Sequence, residues 1–308
     1  MSYALCGLRV ASDLPLPDLL PWTGDARPPD IEVRLGDVPD RLEAPTFEGP
    51  LLQVAADGTC RYDVEGVAAY LAEGGRQVTV RPRMPEDAPD IRVFLLGSVF
   101  GILCHQRGLL PLHAGCVEIG GKAVAFAGPS GVGKSTLTAA FLRRGYRVLA
   151  DDVTVVDVKA AGGPLVLPSF PRIKLWRDVM DGLGVVPDGL ERVWEEMEKF
   201  RLPVPGVHFL TEPRPLAAVY HLRVVGDDRH AGIEPLRGSV AVSALVEAVY
   251  RQNAALHIRG KAALLRDVME IARQPAAAFG RVSDLSALDA AVSTIAARHR
   301  ADGAEAGR

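Results

Sequence analysis

Hydrophobic residues follow three patterns along the chain, and the first covers residues 1–88. Short apolar runs there are separated by proline and glycine, a pattern typical of β-strands. The dipeptides Asp57-Gly58 and Gly74-Gly75 each lie between two such runs and predict hairpin turns. We therefore expect a small β-rich N-terminal domain, either a recognition module for a partner or a layer that covers the rest of the protein. The strands expected in it are Ala4–Val10, Asp30–Leu35, Leu51–Ala55, Thr59–Val64 and Gln77–Arg81.

The second pattern is one long segment, Pro89–Arg107, which is apolar nearly all round its middle. Gly108 follows as a stop signal, so the segment predicts a helix buried between two parts of the protein. Its most apolar run, Val93–Cys104, is too short to span a bilayer. His105, near the end, is expected to be a structural histidine.

In the third pattern, strand-like and helix-like segments alternate. Ala114–Ile119 and Lys122–Ala127 are joined by Gly120-Gly121, which predicts a hairpin. The whole pattern predicts an α/β domain over residues 89–300, followed by a disordered tail over 301–308. Further expected strands are Arg147–Ala150, Val153–Val158, Leu165–Leu167, Leu216–Val225 and Gly232–Leu236, and expected helices are Ser135–Arg144, Leu190–Arg201, Val240–Tyr250, Lys261–Arg273 and Ser286–Arg298.

Composition narrows the class of protein. The 308 residues carry a net charge of −3 with scattered arginines, which argues against a nucleic-acid partner. The four cysteines are far apart and form no C-x-x-C pair, so neither a disulfide framework nor a zinc site is expected. No secretory leader and no membrane span are predicted, and we expect a cytoplasmic protein.

The segment Gly128–Ser135 reads GPSGVGKS and satisfies the phosphate-loop pattern G-x-x-x-x-G-K-[ST]. A predicted strand precedes it and a predicted helix follows it, which is the context that this motif requires. Lys134 is expected to reach the β- and γ-phosphates and Ser135 to ligate Mg²⁺. The pattern therefore predicts a bound nucleoside triphosphate, ATP, with Mg²⁺. The residues expected to hold it are Gly128, Ser130, Gly131, Val132, Gly133, Lys134, Ser135 and Thr136.

Two adjacent carboxylates, Asp151 and Asp152, follow the next predicted strand, 17 and 18 residues after Lys134. Phosphoryl transfer needs one group to hold Mg²⁺ and another to accept the proton of the attacking hydroxyl, and two acids can supply both. His113 begins the strand that pairs with the phosphate-loop strand, so we expect it near the loop. Arg172 and Lys174 are candidate phosphate or substrate contacts, or else part of a solvated edge.

Three short motifs together resemble the catalytic core of HPr kinase/phosphorylase, a family of bacterial protein-serine kinases. They are His113-Ala-Gly, the loop Gly128–Ser135, and Ala150-Asp151-Asp152. The resemblance is strong over about forty residues from His113 to Asp152. It implies the mixed-sheet phosphate-loop fold of PEP-carboxykinase-like proteins, in which a hairpin leads into the loop.

The resemblance also implies roles for individual residues. Asp152 takes the place of the base that deprotonates the acceptor hydroxyl, and His113 that of an active-site histidine beside it. Lys134 and Ser135 keep the phosphate and Mg²⁺ roles, and Asp151 joins Ser135 as an expected metal ligand.

The chain departs from the family pattern at three places. Thr136 stands where the family has Glu, Pro129 stands where it has Asp, and Pro171–Trp176 replaces the family's Glu-Ile-Arg-Gly-Leu-Gly segment. We therefore expect no phosphorylase activity and an acceptor other than HPr. The order of segments along the whole chain resembles the HPr-kinase-like tailoring kinases of lasso-peptide pathways, some of which phosphorylate a serine of a precursor peptide.

The expected function is thus an ATP- and Mg²⁺-dependent kinase of a serine hydroxyl on a peptide or protein. One alternative is a small-molecule hydroxyl kinase, since such enzymes also place acids one strand after the loop. Another is a non-catalytic protein that uses ATP as a conformational ligand. HPr kinases are hexamers, which makes a homo-oligomer compatible with the resemblance, while no nucleic acid or membrane partner is expected.

Overall fold

The computed structural model describes residues 1–194, 197–282 and 284–305. Across these ranges the chain forms two large sheets, a separate two-stranded sheet and helices packed against them. The protein is therefore of the mixed α/β class.

The first sheet contains nine strands in the order β3-β1-β2-β4-β9-β8-β7-β6-β5. The turns predicted at Asp57-Gly58 and Gly74-Gly75 are confirmed, since each joins an antiparallel pair. The single strand predicted over Ala4–Val10 is wrong: Cys6 and Gly7 have φ angles of 53° and 74° and turn the chain between two strands. The nine strands are β1 (Ser2–Leu5), β2 (Leu8–Ser12), β3 (Leu20–Pro21), β4 (Ile31–Leu35), β5 (Phe47–Glu48), β6 (Leu52–Val54), β7 (Cys60–Val64), β8 (Ala68–Glu73) and β9 (Gln77–Pro82).

A buried helical segment follows, as predicted, and it lies on the first sheet. It consists of α1 (Pro89–Phe94), a π-helical turn (Leu95–Val99) and α2 (Phe100–Gln106). The Tyr70 hydroxyl on β8 donates a hydrogen bond to the Ile91 carbonyl at 2.9 Å. A Cβ placed on Gly101 would lie 2.7 Å from the Tyr250 ring, so this glycine lets the ring pack against the helix.

The second sheet contains the phosphate-loop strand, β12. Its central order is β10-β14-β15-β18-β12-β11-β13, and β20 pairs with both β18 and β19. The predicted hairpin is confirmed, because β11 and β12 pair antiparallel from Ala114↔Ala127 to Ile119↔Lys122. Strand β12 pairs parallel with β18, and β18 with β20, so the carboxyl ends of these three strands meet at one edge. The strands are β10 (Leu110–Leu112), β11 (Ala114–Ile119), β12 (Lys122–Ala127), β13 (Val148–Ala150), β14 (Thr154–Asp157), β15 (Leu165–Leu167), β18 (Arg214–Val224), β19 (Gly232–Leu236) and β20 (Ala276–Arg281).

The remaining helices cover this sheet, and the last of them ends later than expected. Residues 301–305 continue α8, where we expected a disordered tail, because their alanines and glutamate favour helix. Residues 306–308 of that predicted tail lie outside the described part. The helices are α3 (Lys134–Arg143), α4 (Arg177–Gly182), α5 (Gly238–Ala248), α6 (Gln252–Arg259), α7 (Lys261–Ile271) and α8 (Leu288–Glu305).

The helix predicted over Leu190–Arg201 is wrong. Residues 199–203 form strand β17 (Lys199–Pro203), which pairs antiparallel with β16 (Arg172–Trp176). The chain before it turns back on itself, since the N–H of Val193 donates to the carbonyl of Lys199 at 2.7 Å. Pairing with a neighbouring strand has overridden the local helical pattern. Glu195 and Glu196, within the predicted helix, lie outside the described residues.

The PEP-carboxykinase-like arrangement and the domain boundary at residues 88 and 89 stay predictions. Across the described ranges, the helices are all too short or too polar to cross a bilayer.

Candidate active site

The glycine loop connects the end of β12 to the start of α3. Gly128, Gly131 and Gly133 have φ angles of 141°, 82° and 93°, a region that side chains disfavour. A Cβ on Gly133 would also lie 1.8 Å from Nη2 of Arg281, so a side chain there would displace this guanidinium. The first turn of α3 contains no acidic residue. The positive end of this helix is therefore free to stabilise an anion held by the loop.

Lys134 is folded back into the loop. Its Nζ donates hydrogen bonds to the carbonyls of Gly128 at 2.8 Å and Pro129 at 2.9 Å. Burial lowers the pKa of Lys134, and the neighbouring carboxylates of Asp152 and Asp151 oppose that shift. The ammonium group is thus close enough to Asp151 and Asp152 to interact with their charges, and two backbone carbonyls of the glycine loop fix its orientation.

Gly115 brings α3 and the acids together. A Cβ at this position on β11 would lie 2.2 Å from Oγ1 of Thr138 and 3.4 Å from Oδ1 of Asp151. The helix can therefore pack directly on β11 only because Gly115 has no side chain. The Thr138 hydroxyl in turn donates to the Lys134 carbonyl at 3.1 Å. The His-Ala-Gly motif thus sets the spacing between the glycine loop and the strand that carries the acids.

Asp151 is buried, and only one of its two oxygens has a partner. Oδ2 accepts the backbone N–H of Lys174 at 2.9 Å, whereas Oδ1 has no hydrogen-bond partner among the described residues. Burial raises the pKa of Asp151 to about 6, against the opposing effects of that N–H and the Ser135 hydroxyl. Mg²⁺ prefers such hard oxygen ligands. Asp151 and Ser135 are therefore the residues that fit a Mg²⁺ ion.

We expect Asp151→Asn to stabilise the protein at neutral pH. Since the folded pKa of about 6 exceeds the ordinary value of 3.8, folding favours the protonated acid, and ionisation destabilises the fold as pH rises between these values. The amide removes that cost, so the gain in unfolding free energy should be on the order of 1–3 kcal/mol above pH 7. Urea unfolding in EDTA at pH 4 and pH 7.5 measures it. A gain of equal size at both pH values would contradict this account.

Asp152 lies next to Asp151 in a strained backbone conformation. Its φ angle is 71°, a left-handed value that costs a residue other than glycine about 1 kcal/mol or more. Oδ2 pairs with Nζ of Lys174 at 2.7 Å, and Oδ1 lies 3.4 Å from Nδ1 of His113. Burial alone raises the pKa of Asp152, but the positive charge of Lys174 and its hydrogen bond outweigh that effect and hold the pKa well below its usual range. His113 adds to this lowering only when its imidazole is protonated. The carboxylate is therefore ionised at neutral pH.

His113 is fixed by both its backbone and its ring. Its N–H donates to the Ala248 carbonyl at 2.7 Å, and Nδ1 lies 3.1 Å from the Asp152 carbonyl. The ring of Tyr250 packs against the imidazole, with 5.6 Å between the ring centroids. Burial lowers the pKa of His113 more than Asp152 raises it, so the imidazole is neutral near pH 7.

Lys174→Gln should move the acid limb of the activity profile to higher pH. The Lys174 ammonium lowers the pKa of Asp152, so a neutral side chain lets that pKa rise toward its usual range. Activity that needs the ionised carboxylate is then lost at a higher pH than in the wild type. The pH dependence of kcat/KM measures the shift, with the exposed Lys159→Gln as control. An unmoved acid limb would contradict the assigned pairing.

His113, Lys134, Asp152 and Lys174 line one cleft with a volume of about 550 Å³, whereas the buried Asp151 does not line it. Gly128 and Val132, predicted to hold the nucleotide, are not among its lining residues either. Arg172 does not line it: its Nε lies 3.5 Å from Asp18, and its Nη2 donates to the Pro17 carbonyl at 3.1 Å. Lys174, two residues further along β16, does line it. The cleft is lined by His113, Ser130, Gly131, Gly133, Lys134, Ser135, Thr136, Asp152, Lys174, Leu175, Trp176, Asp178, Val179, Lys199, Arg281, Asp284 and Leu285.

Several residues that line the cleft, among them Trp176 and Arg281, were not predicted from the sequence as site residues. The side chain of Trp176 is 41% exposed, and Nζ of Lys199 lies 5.5 Å from the centre of its ring. Arg281 ends β20, a strand that was not predicted because half of its residues are alanine. The parallel pairing of β20 with β18 brings Arg281 to the loop, and such long-range pairing has no local signal in a sequence.

Over part of its length, the chain is similar in sequence to members of one protein family. A scan against models of protein families finds no match. The chain is 33% identical to the HPr kinase/phosphorylase of Clostridium botulinum (strain Eklund 17B / Type B) over 91 residues, 28% of this chain and 29% of that protein. It is 36% identical to the HPr kinase/phosphorylase of Exiguobacterium sp. over 77 residues, 24% of each chain. The matched segment thus spans less than a third of these curated relatives.

Among solved structures, the chain is similar to the Hpr(Ser) kinase/phosphatase from Coxiella burnetii. That similarity has a TM-score of 0.36 and 12% identity, and covers 64% of this chain and 94% of the other. The resemblance drawn from the three motifs is therefore confirmed at the level of sequence: over a partial segment, this chain is HPr-kinase-like.

Proposed function

We propose that this protein is a kinase that transfers the γ-phosphoryl group of ATP, with Mg²⁺, to a serine hydroxyl of a peptide or protein. The observation that carries the proposal is the single cleft in which Asp152 lines the wall beside Lys134 and the glycine loop. A phosphate cradle alone supports binding. A cradle with an ionised carboxylate beside it supports transfer, because the carboxylate can receive the acceptor's proton.

The loop and Lys134 bind the β- and γ-phosphates, while Ser135 and Asp151 are the residues suited to hold Mg²⁺. A bound Mg²⁺ would neutralise charge on the phosphate oxygens. The unpartnered Oδ1 of Asp151 supports this assignment, since a buried carboxylate oxygen without a donor is costly unless a cation satisfies it.

In the transfer step the serine oxygen attacks the γ-phosphorus. The bond from phosphorus to the bridging oxygen breaks, ADP leaves with those electrons, and the serine proton passes to Asp152. The low pKa of Asp152 suits a loose transition state, in which the hydroxyl loses its proton late and positioning matters more than base strength. Lys174 and the neutral His113 fix the orientation of that carboxylate.

The peptide or protein acceptor is proposed from the named activity of the relatives, which are HPr kinase/phosphorylases. A precursor peptide of a natural-product pathway is the more specific acceptor that the order of segments favours. The three departures at Pro129, Thr136 and Pro171–Trp176 support an acceptor other than HPr and the absence of phosphorylase activity.

Incubation with γ-labelled ATP, Mg²⁺ and a library of serine-containing peptides tests the proposal. We expect label on serine, none on matched peptides with alanine at that position, and none when EDTA replaces Mg²⁺. Label appearing only on small hydroxylated metabolites, or tight ATP binding with no transfer to any acceptor, would contradict it.

A further inference from the structure

Arg281 lies against the glycine loop although it belongs to a distant part of the chain. Its Nη2 donates to the Val132 carbonyl at 2.9 Å, and a Cβ on Gly133 would overlap the same nitrogen at 1.8 Å. The guanidinium therefore occupies the side-chain space of the loop's last glycine. It also lines the cleft that contains Lys134.

The positive charge of Arg281 is not neutralised by the protein. Among residues 1–194, 197–282 and 284–305, no carboxylate lies within ion-pair distance of it. Its Nε is buried and has no hydrogen-bond acceptor in the described residues. A half-buried guanidinium without a carboxylate is costly, and because Arg281 lines the cleft, its charge points to an anionic ligand bound there.

Arg223, on the neighbouring strand, differs from Arg281 in that its charge is paired with a carboxylate. Arg223, on β18, pairs with Glu234 of β19 and is exposed. Arg281, on the adjacent parallel strand, faces the loop instead. Burial lowers the pKa of Arg281, and no carboxylate among the described residues raises it in compensation.

Apolar side chains from α4 and from the segment before α8 line the cleft together with Arg281. A Cβ on Gly182, at the end of α4, would lie 2.1 Å from Cδ1 of Leu285, so the two segments are in contact. Leu285 and Val179 of α4 line the same cleft as Arg281. These two half-buried apolar side chains reduce the access of water to an anion bound beside them, although the exposed Asp178 and Asp284 line the same cleft.

We propose that Arg281 is a phosphate-binding residue outside the glycine loop, which donates Nη–H hydrogen bonds to the phosphate oxygens of a nucleoside di- or triphosphate held at Val132 and Gly133. The inference rests on the nucleotide binding in the proposed function, but not on transfer to serine. Arginine suits this task because its planar fork contacts two oxygens at once.

Titration calorimetry of the full chain with ADP and Mg²⁺ tests this inference on Arg281→Gln, Arg281→Lys and the control Arg223→Gln. We expect Arg281→Gln to weaken ADP binding on the order of 10- to 100-fold, the usual range for charge-assisted hydrogen bonds. Arg281→Lys should recover part of the loss by restoring the charge, and Arg223→Gln should bind like the wild type. Thermal unfolding of each unliganded variant shows whether the loop has been disturbed.

Equal ADP affinity in Arg281→Gln and Arg223→Gln would overturn the inference. So would a loss that Arg281→Lys does not reduce and that accompanies a lowered Tm, because Arg281 would then only support the Val132 carbonyl. Normal ADP binding with no phosphate transfer to any serine would overturn the proposed function and leave the role of Arg281 intact.

Discussion

Asp152→Asn is expected to lower the rate of phosphate transfer about 10²- to 10⁴-fold, the range for removal of a general base. Asparagine has the same shape and tolerates the left-handed φ of 71° at this position, so the backbone should be preserved. It cannot accept the serine proton and no longer pairs ionically with Lys174. Single-turnover transfer from bound ATP measures the effect.

Asp157→Asn provides the matched control for this change. Asp157 ends β14, its Oδ1 accepts the N–H of Lys159, and it does not line the cleft. The control should transfer phosphate at the wild-type rate. Wild-type transfer by Asp152→Asn would contradict its assignment as the base and leave it as a structural partner of Lys174 and His113.

Lys134→Met is expected to have the second large effect, a fall in kcat/KM of about 10²- to 10³-fold, as when one preorganised donor is removed from a site of developing charge. Methionine preserves the length of the side chain but removes the only ammonium group that donates to the Gly128 and Pro129 carbonyls in the described part of the chain. Steady-state kinetics with ATP at saturating peptide measures the change.

Two further variants sharpen this result. Lys122→Met, at the exposed start of β12, should behave as the wild type. Lys134→Arg should not rescue activity, because the broader guanidinium does not fit a loop that holds a compact ammonium at 2.8 and 2.9 Å from two carbonyls. Full activity in Lys134→Met would contradict the assignment of Lys134 as the residue that binds the β- and γ-phosphates.

The first sheet is tied to the site through a buried ionic cluster around Asp18, which precedes β3. Arg92 of α1, Arg172 of β16 and Arg201 of β17 all lie within 3.0 to 3.5 Å of its carboxylate oxygens. Because β16 also carries Lys174, this cluster braces the strand that positions Asp152. Such a contact fits a covering layer, while the alternative of a recognition module for a partner stays open.

Local motifs were sufficient to predict the hairpin, the loop and the helix on which the candidate site is built. The strand, glycine loop and helix are contiguous in sequence, and the glycine pair at residues 120 and 121 fixes the hairpin through two positive φ angles of 60° and 79°. The position of Asp151 and Asp152 relative to Lys134 likewise depends on only two intervening elements, helix α3 and strand β13. Each of these features depends on residues within about forty positions of one another.

Features that depend on distant pairing were not predictable in the same way. Lys174 was a candidate for a phosphate contact, but the packing of β16 against α3 brings its ammonium group to Asp152 instead. Arg281 is 149 residues from Val132 of the loop in sequence. The parallel pairing of β20 with β18 brings the two together. Strand order across such separations is set by tertiary packing and has no local sequence signal.

The central claim is that the γ-phosphate sits between Lys134 and Asp152, and a crystal structure with Mg²⁺ and a non-hydrolysable ATP analogue tests it most directly. We predict the phosphates within the loop, Mg²⁺ on Ser135 and Asp151, and room for one serine hydroxyl between Asp152 and the γ-phosphorus. A nucleotide bound outside the loop, or a γ-phosphate turned away from Asp152, would contradict the account.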